Sequence, residues 1–380
     1  MTNPAGDLYI GLMSGTSLDG IDVAVTEFGG EAERPEPARL VAYESYRYEA
    51  TFRDRMRTVL EDGSPARLCD LNFDLGERLA TAVSDTLIAA GVAAREVTAL
   101  GSHGQTVWHR PPEEGARGAT LQLGEPAVIA ERTGIPVIAD FRVRDVAAGG
   151  HGAPLTPYFD RLLLGGKESR AIVTLGGMGN LTALPAAGSG DDALAYDTGP
   201  GVALIDGAVH HLTGGHQAFD AEGRLAAAGR VLGPDLEAWL SDPFFDTPPP
   251  RSTGRERFGG PALARWLAET DGARAEDLIA TLTEVTAASV QRAFRWIPFD
   301  VDAVYLCGGG ARNPELMRRI AADLDPIPVR SVDDLGWDGD AREAAAFALF
   351  ARQHRLGIPL DLGWATGSEG PRILGKRVPA

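Results

Sequence analysis

The sequence predicts an α/β fold of two related lobes, each a mixed β-sheet covered by helices. Three observations carry that expectation. An apolar strand, a tight loop of glycines and small polar residues, and a second strand occur at residues 8–25 and recur at 171–184. The 380 residues exceed the ~250–300 over which one hydrophobic core usually grows, which predicts two domains. Strand-like and helix-like segments then alternate along the chain, as in sheets flanked by helices. Each lobe opens on a hairpin rather than a crossover, so a doubly wound dinucleotide fold is not expected.

In chain order, residues 8–13 and 21–28 form the first hairpin. Ile21, Val23 and Val25 alternate with Asp22, Ala24 and Thr26, the period of a strand with one buried face. A helix spans about 70–90, where Leu75, Leu79, Val83 and Leu87 recur every four residues, Ile88 widens the stripe and Gly91 ends it. Residues 97–102 read as a strand ending in a loop at 103–106. A short helix follows at 126–134, then a strand at 135–139. The glycine-rich stretch 147–154 is a loop with the lobe crossing near its start, and a helix opens the second lobe before the repeated hairpin. Residues 201–212 are helical, 242–254 irregular. A long helix at 275–296 carries Glu276 and Asp277 in its first turn, matching its dipole. The buried strand 303–307 runs into Gly308, Gly309 and Gly310, then a helix with Asn313 as N-cap and Pro314 at its first position. An Ala-rich helix spans 341–354.

Composition narrows the function. The 36 basic and 53 acidic residues leave a net charge of −17, which argues against non-specific binding to nucleic acid or an anionic membrane. A small anionic substrate needs only a local positive pocket. Cys69 and Cys307 form neither a disulfide framework nor a zinc pattern, and are expected as buried free thiols in a reducing cytoplasm. The N-terminus lacks the pattern of a signal peptide, and no apolar run approaches the ~20 residues of a membrane span.

The glycine loops are the main chemical signal. Glycine lets backbone N–H groups approach an anion closely, and successive N–H groups form a concave anion site. In the first loop Ser14, Thr16 and Ser17 add hydroxyls, and Asp19 or Asp22 offers a carboxylate to Mg²⁺ or its water shell. The third loop, 308–310, puts N–H groups and a helix start at a nucleotide, or is a tight turn. No Walker sequence, protein-kinase signature or H-E-x-x-H occurs. Asp197, followed by Thr-Gly-Pro-Gly where a strand gives way to a helix, reads as a catalytic carboxylate or as an Asx-turn. Residues 140–145 hold two Arg and two Asp, suited to phosphate or carboxylate recognition or to a surface ion-pair cluster. Residues 102–105 fit a sugar contact or a capping His, and Glu343 fits a helix dipole. The seven histidines show no ligand spacing.

With these residues in hand, the chain resembles the anhydro-N-acetylmuramic acid kinases. The matching stretches are 11–20, 101–106, 139–142 with 145–147, 149–155, 197–201, 252–258 and 307–310, in order along nearly the whole chain. The resemblance implies the two-lobed actin-like ATPase fold, ribonuclease H-like with a duplicated core. It implies lobe I at 1–139 plus about 356–380, and lobe II at 140–355. It implies that ATP-Mg and 1,6-anhydro-N-acetylmuramic acid react with water to give N-acetylmuramic acid 6-phosphate and ADP, in peptidoglycan recycling, in a cytoplasmic homodimer. Carried onto this sequence, Asp197 is the general base. His103, Arg144, Asp197 and Glu343 line the sugar site. Gly11, Ser14, Gly15, Thr16, Ser17 and Asp19 form the first phosphate loop, with Asp19 reaching the metal through water. Gly176, Gly177, Gly179 and Asn180 form the second, and Gly308, Gly309 and Gly310 lie at the nucleoside. Two positions depart from the pattern: the second loop reads Gly-Met-Gly-Asn where members often carry an aromatic residue and Ser, and Thr198 stands where some have Cys.

Other classes fit less well. A chaperone-like or filament-forming ATPase needs an appendage for which 380 residues leave no room. A sugar sensor usually carries a DNA-binding module, and a simple anhydro-sugar hydrolase has no use for phosphate loops.

Overall fold

The computed structural model describes residues 6–15, 18–31, 35, 38–112, 116–270 and 272–380, so Thr16 and Ser17 of the first loop lie outside the described residues. Two compact units form: residues 1–163 with 341–380, and residues 164–340.

The first unit holds β1 (Asp7–Ser14), β2 (Gly20–Phe28), β3 (Ala38–Arg47), β4 (Val97–Arg110), β5 (Ala119–Leu123) and β6 (Val137–Ala139). The second holds β7 (Arg170–Leu175), β8 (Met178–Leu184), β9 (Leu194–Pro200), β10 (Ala303–Cys307) and β11 (Val329–Ser331); β12 (Lys376–Val378) returns to the first sheet. The sheet orders are β12-β6-β4-β1-β2-β3, with β5 on β4, and β11-β10-β7-β8-β9. Both follow one path. Three strands form an antiparallel meander, a fourth pairs parallel with the first, and a fifth pairs parallel with the fourth. The duplicated α/β core expected from the repeated hairpin is therefore present in the strand order itself.

In the first unit Ile10, Leu12, Val23 and Val25 pack against Leu71, Leu75, Leu79 and Val83 of the helix Pro65–Ala90. Ser64 caps that helix and Gly91 ends it in the left-handed conformation. Two expectations fail on this helix. Ile88 is 79% exposed rather than part of the stripe, because the buried face continues backward to Leu71 instead of widening. Cys69 is exposed as well, lying off that face, whereas Cys307 is buried as expected. The expected loop at 103–106 is also overturned. At Gly104, with φ of +70°, the pairing of β4 with β1 shifts register, reaching Gln105 opposite Ser14, and the strand continues paired with β5 from Gln105 to Arg110.

The borders between units lie elsewhere than expected, for a packing reason. The helix Arg342–Leu356 presses its backbone onto β1 and β4: a Cβ on Gly11 would lie 1.7 Å from the Ala344 carbonyl oxygen, and one on Gly101 2.0 Å from that of Phe347. Residues 140–163 join the same unit through Phe141, whose ring packs on Phe347 and Phe350, and through Asp160. Both Asp160 carboxylate oxygens accept from Arg342 Nη1, at 2.9 and 3.0 Å, with both side chains almost fully buried. The helical segment expected ahead of the repeated hairpin forms at Pro157–Phe159 and Asp160–Leu164, but it belongs to the first unit as far as Leu163. Asp160→Ala removes the counter-charge of a buried guanidinium and is expected to destabilise the first unit by ~3–5 kcal/mol. A denaturant midpoint unchanged from wild type would contradict this.

Candidate active site

Between the first two strands, Leu18 N–H donates to the Gly15 carbonyl at 3.2 Å. Leu18 has a φ of +59°, which costs a non-glycine residue roughly 1–2 kcal/mol, and its buried side chain holds it there. The Ser14 hydroxyl is engaged within the protein. Its Oγ lies 2.6 Å from Gln105 Oε1 and 3.1 Å from the Gly20 carbonyl, which share its single proton, and 2.9 Å from the Tyr48 hydroxyl, which donates to it. Burial pushes the Tyr48 phenol up to about 12 and keeps it a donor. Gly11 lies under the helix Arg342–Leu356, where its role is steric. Asp19 is exposed at the turn. Burial raises the Asp22 carboxyl, Ser45 and Tyr43 oppose this by hydrogen bonding, and the charges of Asp19 and Glu343 add to the rise. A hard divalent cation would relieve that negative field. Among the described residues no three His, Cys, Asp or Glu side chains are grouped to hold a metal ion.

A second group in this unit centres on Arg142. Its Nε donates to His103 Nε2 at 2.9 Å and its Nη1 to the Gly152 carbonyl at 2.6 Å. His103 Nδ1 lies 2.7 Å from the Gly104 carbonyl, which assigns its proton to Nδ1. Both ring nitrogens of His103 are thus engaged inside the protein, and the histidine orients Arg142. Burial, with the Arg142 charge, pushes His103 down to about 3; burial, Arg142 and His151 push His109 down to about 4. Asp145 ties the glycine-rich loop down, accepting from Gly152 N–H at 2.7 Å and from Thr366 Oγ1 at 2.8 Å. Arg144 is exposed on the helix Phe141–Ala147, and Glu343 is half-buried in the first turn of Arg342–Leu356. Ser102 and Gln122 line a cavity of about 190 Å³ together with His103 and Asp140. Ser102 Oγ and Gln122 Oε1 are buried and have no hydrogen-bond partner among the described residues. Unsatisfied polar groups at a cavity wall suit a hydroxylated ligand.

The depressed His103 gives a signed pH dependence. Between pH 6.5 and about 3 the unfolded chain binds a proton there that the folded chain does not. Its contribution is therefore complete above pH 6.5 and is lost as pH falls, by up to ~1.4 kcal/mol per pH unit. Asp206, pushed up to about 7 by burial, has the opposite sign over its own range. The check is consequently a difference: His103→Gln should flatten the loss of melting temperature between pH 6.5 and 5 relative to wild type. Parallel curves would rule it out.

In the second unit three glycine segments meet at one end of the sheet. Gly201 and Ala203 N–H donate to the Gly177 carbonyl, at 3.0 and 3.2 Å, and Val202 N–H to that of Gly176 at 2.9 Å. A Cβ on Gly201 would lie 2.0 Å from the Gly176 oxygen. β10 pairs with β7, Cys307 opposite Thr174, so Gly308–Gly310 follow beside Gly176; a Cβ on Gly310 would meet Leu175 Cβ at 2.6 Å, whereas Gly309 faces open space. The second and third loops of the sequence are neighbours.

Asp197 stands directly across from Asn180 on the adjacent strand, and Asn180 is opposite Thr174. Cross-strand partners share a face, so the carboxylate and the amide of the glycine loop lie side by side. The register shifts at this point: Gly179 pairs Gly199 while Asn180 pairs Asp197, leaving Thr198 as the extra residue of a β-bulge. Asp197 therefore lies within β9 rather than at its end. Its Oδ2 accepts from Thr253 N–H at 2.8 Å. Arg251 Nε donates to the Asp197 carbonyl at 2.8 Å, and its Nη1 to the carbonyls of Phe244, Phe245 and Thr247. The two departures from the family pattern touch each other: a Cβ on Gly179 would lie 2.4 Å from Thr198 Oγ1, which is buried without a hydrogen-bond partner among the described residues. Sequence reading did not find Arg251, Thr253 or Arg142 as supports, because each acts through a partner distant in the chain.

A family profile described as Anhydro-N-acetylmuramic acid kinase matches residues 7–380. The curated anhydro-N-acetylmuramic acid kinase of Gloeobacter violaceus is 43% identical over 98% of this chain and 99% of its own length. That of Caldanaerobacter subterraneus is 40% identical over 97% and 96%. Among solved structures, the (R)-2-hydroxyglutaryl-CoA dehydratase component A of Acidaminococcus fermentans is similar with a TM-score of 0.48 and 11% identity, over 91% of this chain and 98% of that one. From the full-length family match and relatives at this identity, the chain belongs to the anhydro-N-acetylmuramic acid kinase family and is a kinase.

Proposed function

We propose that the protein uses ATP and water to convert 1,6-anhydro-N-acetylmuramic acid into N-acetylmuramic acid 6-phosphate and ADP, in the recycling of peptidoglycan. The observation that carries this reading is the fixed pairing of Asp197 with Asn180 beside converging glycine loops, a carboxylate oriented next to a phosphate-sized cradle. Asp197 takes a proton from water as the water oxygen bonds to the anomeric carbon. The bond from that carbon to O6 breaks, O6 bonds to the γ-phosphorus, and the bond from that phosphorus to ADP breaks. Backbone N–H groups of 176–180 and 308–310 receive the phosphates, so catalysis rests on position and charge stabilisation. Magnesium bound with the nucleotide supplies charge neutralisation, and Asp19, with Asp22 and Glu343 nearby, would hold its water shell. Arg142, Arg144 and Glu343, with the polar cavity at Ser102, suit the sugar and its carboxylate. The family membership also supports a cytoplasmic homodimer, and no helix among the described residues is long and apolar enough to cross a membrane.

The test is an ADP-release assay with ATP-Mg and the anhydro sugar, plain N-acetylmuramic acid or no sugar, with products weighed by mass spectrometry. ADP formed with the anhydro sugar, and a product heavier by one phosphate and one water, is expected. ADP with the plain sugar alone means an ordinary hexosamine kinase, and no sugar-dependent ADP overturns the reading.

A further inference from the structure

Three arginines lie within one short segment of the second unit, and two of them are consumed by the fold. Arg251 is buried and donates to four carbonyl oxygens. Arg257 pairs with Asp242. Arg255 is exposed and makes no hydrogen bond or ion pair among the described residues. Its Nη2 nonetheless has a defined place, 3.7 Å from where a Cβ on Gly177 would sit. The guanidinium covers the second glycine loop at a point that the missing side chain leaves open.

The chain holds it there from both sides. Upstream, the Arg251 bonds and the Thr253 N–H on Asp197 Oδ2 anchor the backbone. Downstream, the short helix Arg255–Phe258 ends on a buried Phe258, whose ring packs against Phe244 and Phe245. Residues 251–258 thus form a strut that grips the proposed base at Thr253 and carries a cation to the glycine loop two residues later. Asp206, in the first turns of the helix that follows this loop, is the acidic group that senses the Arg255 charge. In a chain of net charge −17, a polyphosphate needs such a local cation. A guanidinium fork beside backbone N–H donors is strong phosphate-recognition chemistry.

We propose that Arg255 binds the transferable phosphoryl end of the nucleotide at the 176–180 loop, an assignment that rests on the kinase reading above. It would help to neutralise charge on the phosphoryl group as it moves, and the strut would couple its position to that of Asp197.

The test compares wild type, Arg255→Ala and Arg255→Lys by calorimetric titration with ADP, the non-hydrolysable ATP analogue and adenosine, alongside sugar-dependent ADP release. Arg255→Ala should weaken the ATP analogue about tenfold or more, leave adenosine binding unchanged and lower kcat by ~10²-fold, the scale of losing one preorganised donor. Arg255→Lys should recover much of the binding but little of kcat, because a point charge lacks the fork. Unchanged affinity for the ATP analogue in Arg255→Ala, with wild type active, overturns the assignment alone. An equal loss for adenosine also overturns it, since the residue would then be structural. A wild-type protein that neither binds ADP nor releases it with sugar overturns the kinase reading as well.

Discussion

Asp197→Asn is expected to lower turnover of the anhydro sugar by ~10²–10⁴-fold, the range that positioned general bases supply, while nucleotide binding persists. The amide keeps the shape of the side chain and an oxygen that accepts from Thr253 N–H, so the bulge at Thr198 and the register with Asn180 survive. What disappears is the capacity to take a proton from water. The glycine loops keep their own backbone bonds, and the Arg251 bonds keep the segment that carries Arg255 anchored, so ADP affinity in the variant should match wild type. Steady-state ADP release and calorimetric titration together check this. Turnover within tenfold of wild type would remove Asp197 from the chemistry. Loss of ADP binding would make it a structural residue instead.

Gly11→Ala should have the largest effect on stability. The new methyl would sit 1.7 Å from the Ala344 carbonyl oxygen and 2.7 Å from the Ala348 nitrogen. Both are helix backbone, so no flexible side chain yields. The same helix is seated on Gly101 one strand away, which blocks a simple tilt. The helix Arg342–Leu356 would have to lift from the sheet, exposing Phe347 and Phe350, and a cost of about 3 kcal/mol or more follows. Gly233→Ala is the control, because a Cβ there meets nothing within 4 Å. Gly11→Ala should express poorly or melt far below both wild type and Gly233→Ala. A melting temperature equal to the control would mean that the helix accommodates the methyl.

These two substitutions mark what a linear sequence discloses. The alternation at Ile21, Val23 and Val25 and the four-residue spacing from Leu75 to Leu87 specify elements whose period is local, and both form as expected. The repeated hairpin was legible for the same reason. Glycines were less so. Gly11 lies in a motif that looks like a phosphate loop, yet the atom that forbids a side chain there belongs to Ala344, more than three hundred residues away in the chain. Gly104 looked like a loop and instead bends a continuing strand toward β5. Polar residues were similarly ambiguous. Ser14 and His103 carry the right chemistry for ligands, but their hydrogen bonds go to Gly20, Gln105, Tyr48, Gly104 and Arg142. Asp197 stood out by its glycine-rich context, whereas its partner Asn180 is revealed only by strand register. Contacts set by register and tertiary packing have no local period to read.

The two sheets share one path but finish their fourth strands differently. β10 stops at Cys307 and hands the chain to a glycine turn, whereas β4 runs on to Arg110, with Thr106 and His109 half-buried and Trp108 and Arg110 exposed. Duplicate scaffolds allow such a division of labour, and it bears on how the protein can evolve. Backbone donors are indifferent to point substitution, and Gly201 and Gly310, which hold the loops together, are barred from change by Gly176 and Leu175 atoms at 2.0 and 2.6 Å. Side chains at the extended strand are open to single replacements. On the proposed reading, the phosphoryl donor is sterically frozen while the choice of acceptor remains adjustable, so drift in this architecture should yield new acceptors before new donors.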